Sequence, residues 1–311
     1  MIHLRIVAPK DRVDRVLALL CDDAAVSSVI HLRDAAAKPP GDVILCDIAR
    51  EDASVILSDL RELRVHEDGT IALEEIDTAM SRAAIEAEKA AAGLPSDAVV
   101  WEEVQARTSE NTELSGSFLA FMAVATMIAA IGIMIDSQIL IIGAMVVGPE
   151  FGPLAGLCVA LVHKRRDLAV RSLRALAAGF PVAITAACLL TLVLRATSSA
   201  PGEIEARPFT DFISHPDEFS FIVAYLAGVA GVLSLTSAKS GALIGVLISV
   251  TTIPAAGNIG VAAAYGDGDE WVGAMEQLSL NLVAIVAAGV LTLYVQRKLY
   301  HRRRRRHRSA A

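Results

Sequence analysis

Hydrophobic and polar positions divide the chain into a charged first third and an apolar remainder. In the first third, short stretches alternate between apolar and polar residues or repeat apolar residues at helical spacing. From Ser115 onwards, long runs contain almost no charged side chains. Alternation predicts half-buried strands, and apolar runs of about 20 residues predict helices that span a membrane. The pattern therefore predicts a small soluble module, residues 1–77, followed by a membrane module.

The soluble module is predicted to form a single sheet with two helices. Strands are expected at 3–9, 28–33, 42–49 and 70–76, and helices at 11–21 and 52–63. The order β-α-β-β-α-β is that of an α+β ferredoxin-like sandwich, in which two helices cover one sheet face and the other face stays open. The residues expected on the covered face are Ile6, Ile30, Leu32, Ile44, Ile48, Ile71 and Leu73.

The open face of this sheet offers a weak candidate for a regulatory ligand site. Four basic residues would lie on it together with Asp47 and Glu74; they are His3, Arg5, His31 and Arg33. Such a cluster could hold an anionic metabolite or a partner subunit, but a solvated face with cross-strand ion pairs explains the same residues. Nucleic acid is not an expected partner, because the module lacks aromatic pairs for stacking and carries many carboxylates.

Residues 78–113 predict a helical linker between the two modules. An alanine-rich helix is expected up to the Gly93-Leu94-Pro95 turn, and a second helix is expected from Ser96 to about Ser109. Trp101 and its polar neighbours favour a position near lipid headgroups, where the linker would couple the soluble module to the first span. A plain connector helix explains the same pattern.

The membrane module, residues 114–299, predicts six spans. They are expected at 115–135, 138–163, 174–194, 219–237, 241–265 and 275–299. Basic residues cluster at 164–174, at Lys239 and in the tail 300–311, whereas the other loops are acidic and contain only Arg207 as a base. Because cytoplasmic loops carry excess Lys and Arg, and no signal peptide is recognised, both termini are expected on the cytoplasmic side of a bacterial or archaeal inner membrane.

The second predicted span is broken near its middle. The break consists of Gly148, Pro149, Glu150, Phe151, Gly152 and Pro153. Prolines and glycines loosen a helix, and roughly 11 residues on either side place the break near the centre of the bilayer. An ionisable side chain at that depth is a functional-site hypothesis by default, because a buried carboxyl group can carry a proton or bind a cation. A packing kink with Glu150 in a structural pair is the alternative.

The fifth predicted span has a matching interruption. Its candidate site residues are Thr251, Thr252, Pro254, Gly257 and Asn258. Since three spans cross the membrane an odd number of times, two sets of three would form inverted repeats, with their second and fifth helices broken. Half-helix ends and unwound carbonyls at such breaks bind ions or small polar solutes in secondary transporters. If the halves face each other, Asn258 and one of the two threonines are the expected co-ligands of Glu150.

Two motifs resemble a known family. The run from Ser137 to Gly156, with its IIGAMVVGPEFGPLAG core, and the segment from Ser240 to Pro254 are similar to the bacterial and archaeal family of uncharacterised hydrophobic proteins, domain of unknown function 389. The resemblance extends over about 115–295. Glu150 departs from the family pattern, in which an apolar residue often follows the first proline. The resemblance implies a membrane location and little else.

The sequence thus predicts a secondary transporter or channel-like permease for an ion or small polar solute, with a cytoplasmic regulatory module. The alternative is a membrane-anchored ligand sensor or scaffold without transport activity. An enzyme is not expected, because no phosphate loop, nucleophile elbow or HExxH motif is present. The four cysteines show no metal-type spacing, and no metal or cofactor is predicted. The expected partners are the lipid bilayer, the transported solute and further copies of the chain.

Overall fold

The chain separates into two compact units. The computed structural model describes residues 1–76, 81–91, 98–201, 207–237 and 251–310. One unit is built mainly of Met1–Val104, and the other of Gln105–Leu235 together with Ser240–Arg303. The first unit contains the sheet, and the second is helical.

A four-stranded antiparallel sheet forms the centre of the first unit. Its elements are β1 (Ile2–Ala8), α1 (Val13–Cys21), β2 (Val26–Ala37), β3 (Pro40–Ile48), α2 (Arg50–Glu62), α3 (Val65–Asp68) and β4 (Thr70–Glu75), and α4 (Arg82–Ala90) follows. The strand order across the sheet is β2-β3-β1-β4, with β1 paired to both β3 and β4. The predicted alternation of strands and helices is present, with the short α3 added before the last strand.

The covered face of the sheet matches most of the predicted core. Ile6, Ile44 and Ile48 are fully buried, and Ile71 and Leu73 are half-buried against the same cluster. Helix α1 contributes Val13, Val16 and Leu20, because residues three and four apart share one helix face. The sheet and its helices therefore enclose one continuous core.

The placement of Ile30 and Leu32 on the covered face was wrong, since these side chains are 53% and 45% exposed. A β-bulge in β2 is the reason: the pairing register shifts between Val26 and Ser28. Val26 opposes buried Ile48 before the bulge, and three residues later Val29 opposes buried Cys46. A bulge adds one residue to one strand, so every later side chain in β2 changes face relative to a regular strand.

The start of the helix α5 (Trp101–Glu110) belongs to the first unit. Val100 is buried in the core of the sheet unit, and Trp101 is only 5% exposed. The backbone N–H of Trp101 donates to Ser54 Oγ at 3.0 Å, and Glu102 pairs with Arg61 at 3.3 Å. Trp101 is therefore buried in a folded unit and is not an exposed anchor for lipid headgroups.

The second unit consists of apolar helices. They are α6 (Gly116–Met134), α7 (Gln138–Val147), α8 (Phe151–His163), α9 (Arg166–Ala196), α10 (Glu218–Thr236), α11 (Thr252–Tyr265) and α12 (Gly268–Ala310). Among the described residues, α6, α9, α10 and the part of α12 up to Tyr300 are long and apolar enough to cross a membrane. Helices α7 and α8, bent by 52°, count as a fifth span if they are taken together. The first part of the predicted fifth span, 241–250, lies outside the described residues.

Small residues let the two short helices α8 and α11 pack closely against longer ones. Gly257 and Gly260 of α11 lie so near Ala129 of α6 and Ala187 of α9 that an added Cβ would be 3.0 and 2.7 Å from their Cβ atoms. Helix α8 packs against α9, where Gly156 lies beside Ser172, and against α10 and α12. The contact with α10 and α12 is a buried cluster of Leu154, Ala224, Ala227, Ala284 and Ile285.

Candidate functional site

The break between α7 and α8 follows from the local sequence. Gly148 is extended, with φ −66° and ψ 128°, as expected for a residue before proline, and α7 ends there. Glu150 is the N-cap of α8. Pro153 occupies the third helical position, and its missing N–H breaks no helical bond because the first bond to the N-cap carbonyl is that from the Leu154 N–H to Glu150, at 3.3 Å. The local sequence thus places a carboxylate at the start of a half-helix.

The carboxylate of Glu150 is buried and only partly satisfied. Its residue is 2% exposed, and Oε1 accepts a hydrogen bond from Thr252 Oγ1 at 2.8 Å. Among the described residues, Oε2 has no hydrogen-bond partner, and no basic side chain compensates the carboxylate. Burying an acidic group without a partner is costly, so a packing role alone explains this arrangement poorly.

Helix α11 begins next to this carboxylate. Thr251 is its N-cap, Thr252 is its first residue and is fully buried, and Pro254 is its third residue. Thr251 Oγ1 accepts hydrogen bonds from Asn281 Nδ2 at 2.7 Å and Gln277 Nε2 at 3.2 Å, both on α12. The structure therefore joins the two predicted broken spans at Glu150 and Thr252 and adds two buried amides of the last helix.

Asn258 does not reach Glu150. It lies six residues beyond Thr252, which corresponds to about 9 Å along a helix. Its Oδ1 accepts from Arg207 at 3.2 Å, and its Nδ2 donates to Glu270 Oε2 at 3.0 Å. Arg207 also pairs with Glu270 at 2.9 Å. Asn258 thus belongs to a second buried polar cluster, which we call the Arg207 cluster: Arg207, Asn258 and Glu270.

The Arg207 cluster is connected to the turn between α6 and α7. Thr210 Oγ1 donates to Asp136 Oδ1 at 2.9 Å, and Gln138 Nε2 donates to the carbonyl of Phe209 at 3.1 Å. These contacts hold the segment that follows Arg207 against the start of α7. The sequence had marked Arg207 only as the single base of an acidic loop, and its buried partners were not apparent.

The glycines of the predicted site are points of close approach. An added Cβ on Gly148 would collide with Glu150 Oε2 and with the side chain of Ile253, and one on Gly152 would lie 2.8 Å from the carbonyl oxygen of Asn111. A cavity of about 220 Å³ lies beside the break; it is lined by Thr108, Asn111, Gly148, Pro149, Phe151, Gly152, Ala155 and Leu235. The break therefore has the buried carboxylate and an adjoining small cavity.

The four basic residues of the weak regulatory site do not form one cluster. His3 lies opposite Asp47 in the sheet and pairs with it at 2.6 Å, whereas His31 lies opposite buried Ile44 and pairs with Asp42 at 2.6 Å. The two histidines therefore lie on opposite faces. The backbone N–H of Asp34 and the ring of His31 hold the pKa of Asp42 below its usual value. Arg5 and Arg33 are exposed.

Comparisons with known proteins agree with the resemblance carried by the two motifs. Residues 145–287 match the family described as a domain of unknown function (DUF389). An uncharacterised protein of Methanocaldococcus jannaschii is 26% identical over 193 residues, which is 62% of this chain and 58% of that relative. The match thus spans less than two thirds of that protein. No solved structure matches the chain. The break, Glu150 and the start of α11 all fall inside the stretch from 145 to 287 that matches this family, which is the family that the two motifs resemble.

Proposed function

We propose that this protein is a membrane transporter or channel-like permease for an ion or small polar solute, with its site where α8 and α11 begin. The observation that carries the proposal is the buried carboxylate of Glu150, which has one hydroxyl partner and no basic partner among the described residues. An ionisable group inside an apolar helical unit marks a solute pathway more often than a packing contact. The helix is broken at the same place, so backbone N–H and C=O groups without helical partners are available there to contact a solute.

The two half-helices support a repeated architecture. Counting from the first helical residue, α8 and α11 both have proline at position three, Pro153 and Pro254, and glycine at position six, Gly156 and Gly257. Helix α11 packs on α6 and α9, and α8 packs on α10 and α12 as well as on α9 of its own set. Each half-helix thus contacts the outer helices of the other set of three. This reciprocal packing is expected of six spans arranged as inverted repeats with broken second and fifth members.

The sheet unit would serve as a regulatory module. Its strand order, β2-β3-β1-β4 with neighbouring strands antiparallel, is the order of a ferredoxin-like sandwich. Helix α5 leads along the chain from this unit into the helical unit, since it begins in the first and ends in the second. A ligand that stabilises the sheet unit could therefore act on transport through α5.

Flux through liposomes tests the proposed function. Purified protein should move protons, small cations or small anions faster than empty liposomes do, and Glu150→Gln should abolish the flux or change its dependence on pH or ions. Glutamine keeps the size of the side chain and can still accept from Thr252, but it removes the charge and the exchangeable carboxyl proton. Glu218→Gln, an exposed site at the start of α10, is the matched control and should behave as wild type.

Two outcomes would contradict the proposal. Absence of flux for every tested class of solute would favour the sensor or scaffold. Unchanged flux in a well-folded Glu150→Gln protein would show that Glu150 is structural and that any pathway lies elsewhere.

A further inference from the structure

Two half-helix N-termini meet at Glu150, and this determines the sign of the charge that the site favours. The first amides of a helix have no carbonyl partner one turn earlier and carry partial positive charge. Helices α8 and α11, with 13 and 14 residues, are long enough for this effect. The carboxylate is the N-cap of one helix and accepts from the first residue of the other. The two helix starts favour a negative charge over a positive one, although they do not remove the cost of burying the carboxylate.

The cap side chains do not close the two helix starts, although the Gly152 N–H donates to the carbonyl of Pro149 at 3.3 Å and Pro153 and Pro254 have no N–H. Neither Glu150 nor Thr251 makes a side-chain capping hydrogen bond to its own helix. The carboxylate of Glu150 is packed against the first turn of α11 instead: Oε1 meets Thr252 Oγ1, and Oε2 lies beside Gly148 and Ile253, unpaired within the described part of the chain. The side chain therefore occupies the position that a small anion would take between the two helix starts.

The hydroxyl groups at the start of α11 are arranged as donors. Thr252 Oγ1 donates to Glu150. Thr251 Oγ1 accepts from both Gln277 and Asn281, which uses the two lone pairs of a hydroxyl oxygen and leaves only its hydrogen for a further partner. Hydroxyl groups that donate suit an anion. Among the described residues Gln277 Oε1 has no hydrogen-bond partner, and it is the acceptor that a rival cation site would use together with Glu150 Oε2.

We propose that Glu150 is a tethered occupant of a binding site for a small monovalent inorganic anion, such as a halide or nitrate. The free anion would take the place of the carboxylate when the side chain is removed or swings away. A divalent anion fits less well, because no Lys or Arg of the described residues pairs with Glu150 and a second charge would stay uncompensated. The inference rests on the proposed function, since it names the ion that the same site would transport.

Anion-dependent stability of the purified, detergent-solubilised protein tests this inference. Thermal unfolding is followed in choline gluconate with increasing choline chloride or choline nitrate. Removing the tethered carboxylate should open the site, so Glu150→Ala should show a saturable rise in Tm with an apparent Kd about ten-fold or more below that of wild type. Adding Thr252→Val to Glu150→Ala should weaken the anion effect by removing a donor. Glu218→Ala should respond to anions as wild type does.

The opposite result is equally clear. If Glu150→Ala shows no anion effect, the inference is wrong. If sodium gluconate stabilises wild type relative to choline gluconate and the variant loses this stabilisation, the site binds a cation and the inference is again wrong. Should Glu150→Ala fail to fold, Glu150→Ser, which also empties the position of the carboxylate, is measured in the same way, and the same two results decide.

Failure of this inference can be told apart from failure of the proposed function. Anion binding in detergent requires neither a membrane nor a gradient. Anion-dependent stability without flux in liposomes would support the anion site and contradict the proposed transport. Flux of a cation or neutral solute without any anion effect on stability would support the proposed transport and contradict the anion site.

Discussion

At the scale of single residues, glycines fix how closely α8 and α11 approach their neighbours. Gly156 of α8 lies so near the Thr112 side chain that an added Cβ would overlap it, and the same Cβ would be 2.8 Å from Ser172 Oγ. Gly143 of α7 is also inside a helix, but an added Cβ there would meet nothing within 4 Å. Glycine has the same low helix propensity at both positions, and only the packing around them differs. The two positions therefore form a matched pair.

Substitution of this pair separates packing from helix propensity. Gly156→Ala should destabilise the protein by about 1–3 kcal/mol, because a methyl group is forced into a filled space. Gly143→Ala should be neutral or stabilising by up to about 1 kcal/mol, because alanine favours a helix. Thermal unfolding in detergent measures both changes. Equal effects of the two substitutions would contradict the close packing of α8.

The sequence could locate some of the site residues but not their partners. Glu150 and the prolines around it stand out because a charge and two helix breakers interrupt an apolar run. Gln277 lies in α12, 26 residues from its partner Thr251, and no local pattern joins the two. Asn258 was expected beside Glu150 because both are polar residues in broken spans. Its hydrogen bonds to Arg207 and Glu270, further along α11, place it in the Arg207 cluster instead.

At the scale of elements, the sequence predicts whether a segment is a helix or a strand better than it predicts where that element begins and ends. The apolar runs predict α6 and α10 to within a residue or two of each end. Helix α9 begins at Arg166, eight residues before the predicted start at Arg174, because a helix continues where side chains become polar and hydropathy follows only the apolar part. The wrong sheet face predicted for Ile30 and Leu32 in β2 has a similar origin, since the alternation of apolar and polar residues does not reveal an added bulge residue.

In the Arg207 cluster a loop residue pairs with residues of α11 and α12. A double-mutant cycle measures how much the pairing of Arg207 with Glu270 contributes to stability. The side chains of Arg207 and Glu270 are 6% and 17% exposed. Removing either partner leaves a buried charge unpaired, so Arg207→Met and Glu270→Gln should each destabilise by about 3 kcal/mol, and the double variant by less than their sum. Thermal unfolding of the four proteins gives the coupling energy.

An exposed ion pair on α9 provides the control for that cycle. Asp167 and Arg171 lie 3.6 Å apart with side chains 58% and 40% exposed, so their coupling should be below about 0.5 kcal/mol. A coupling at Arg207 and Glu270 as small as this control would mean that their pairing contributes nothing to holding the loop.

At the scale of the whole molecule, the sheet unit extends further along the chain than its strands. Val100 is buried in its core, and Ser54 accepts the N–H of Trp101. A fragment ending at Val104 should therefore melt higher than one ending at Met80, by roughly 5–10 °C, because it keeps a fully buried Val side chain. Circular dichroism of the two soluble fragments measures this. Val100→Ala in the longer fragment should remove part of the gain, and equal melting of both fragments would place the boundary at β4.

The orientation of the helical unit decides whether the repeated architecture can exist. Acidic residues follow α9 and lie near the start of α12, while basic residues lie between α8 and α9 and at the end of α12. Because basic segments stay on the cytoplasmic side, the acidic segments are expected on the opposite side of the membrane. In a protein with Cys21, Cys46, Cys158 and Cys188 replaced, single cysteines at Ser199 and Gly268 should react with a membrane-impermeant thiol reagent in intact cells. A cysteine at Ser309 should react only after permeabilisation.

The same labelling counts the crossings between α9 and the tail. From Ser199 to Ser309 the chain passes through α10, α11 and α12. Helix α11 has 14 residues, about 21 Å, which is too short for the roughly 30 Å hydrocarbon core unless the residues before it complete the span. Opposite-side labelling of Ser199 and Ser309 requires an odd number of crossings, and therefore a complete fifth span. Labelling of both from the outside would mean an even number, which would make α11 part of a re-entrant segment and remove the inverted repeat from the proposal.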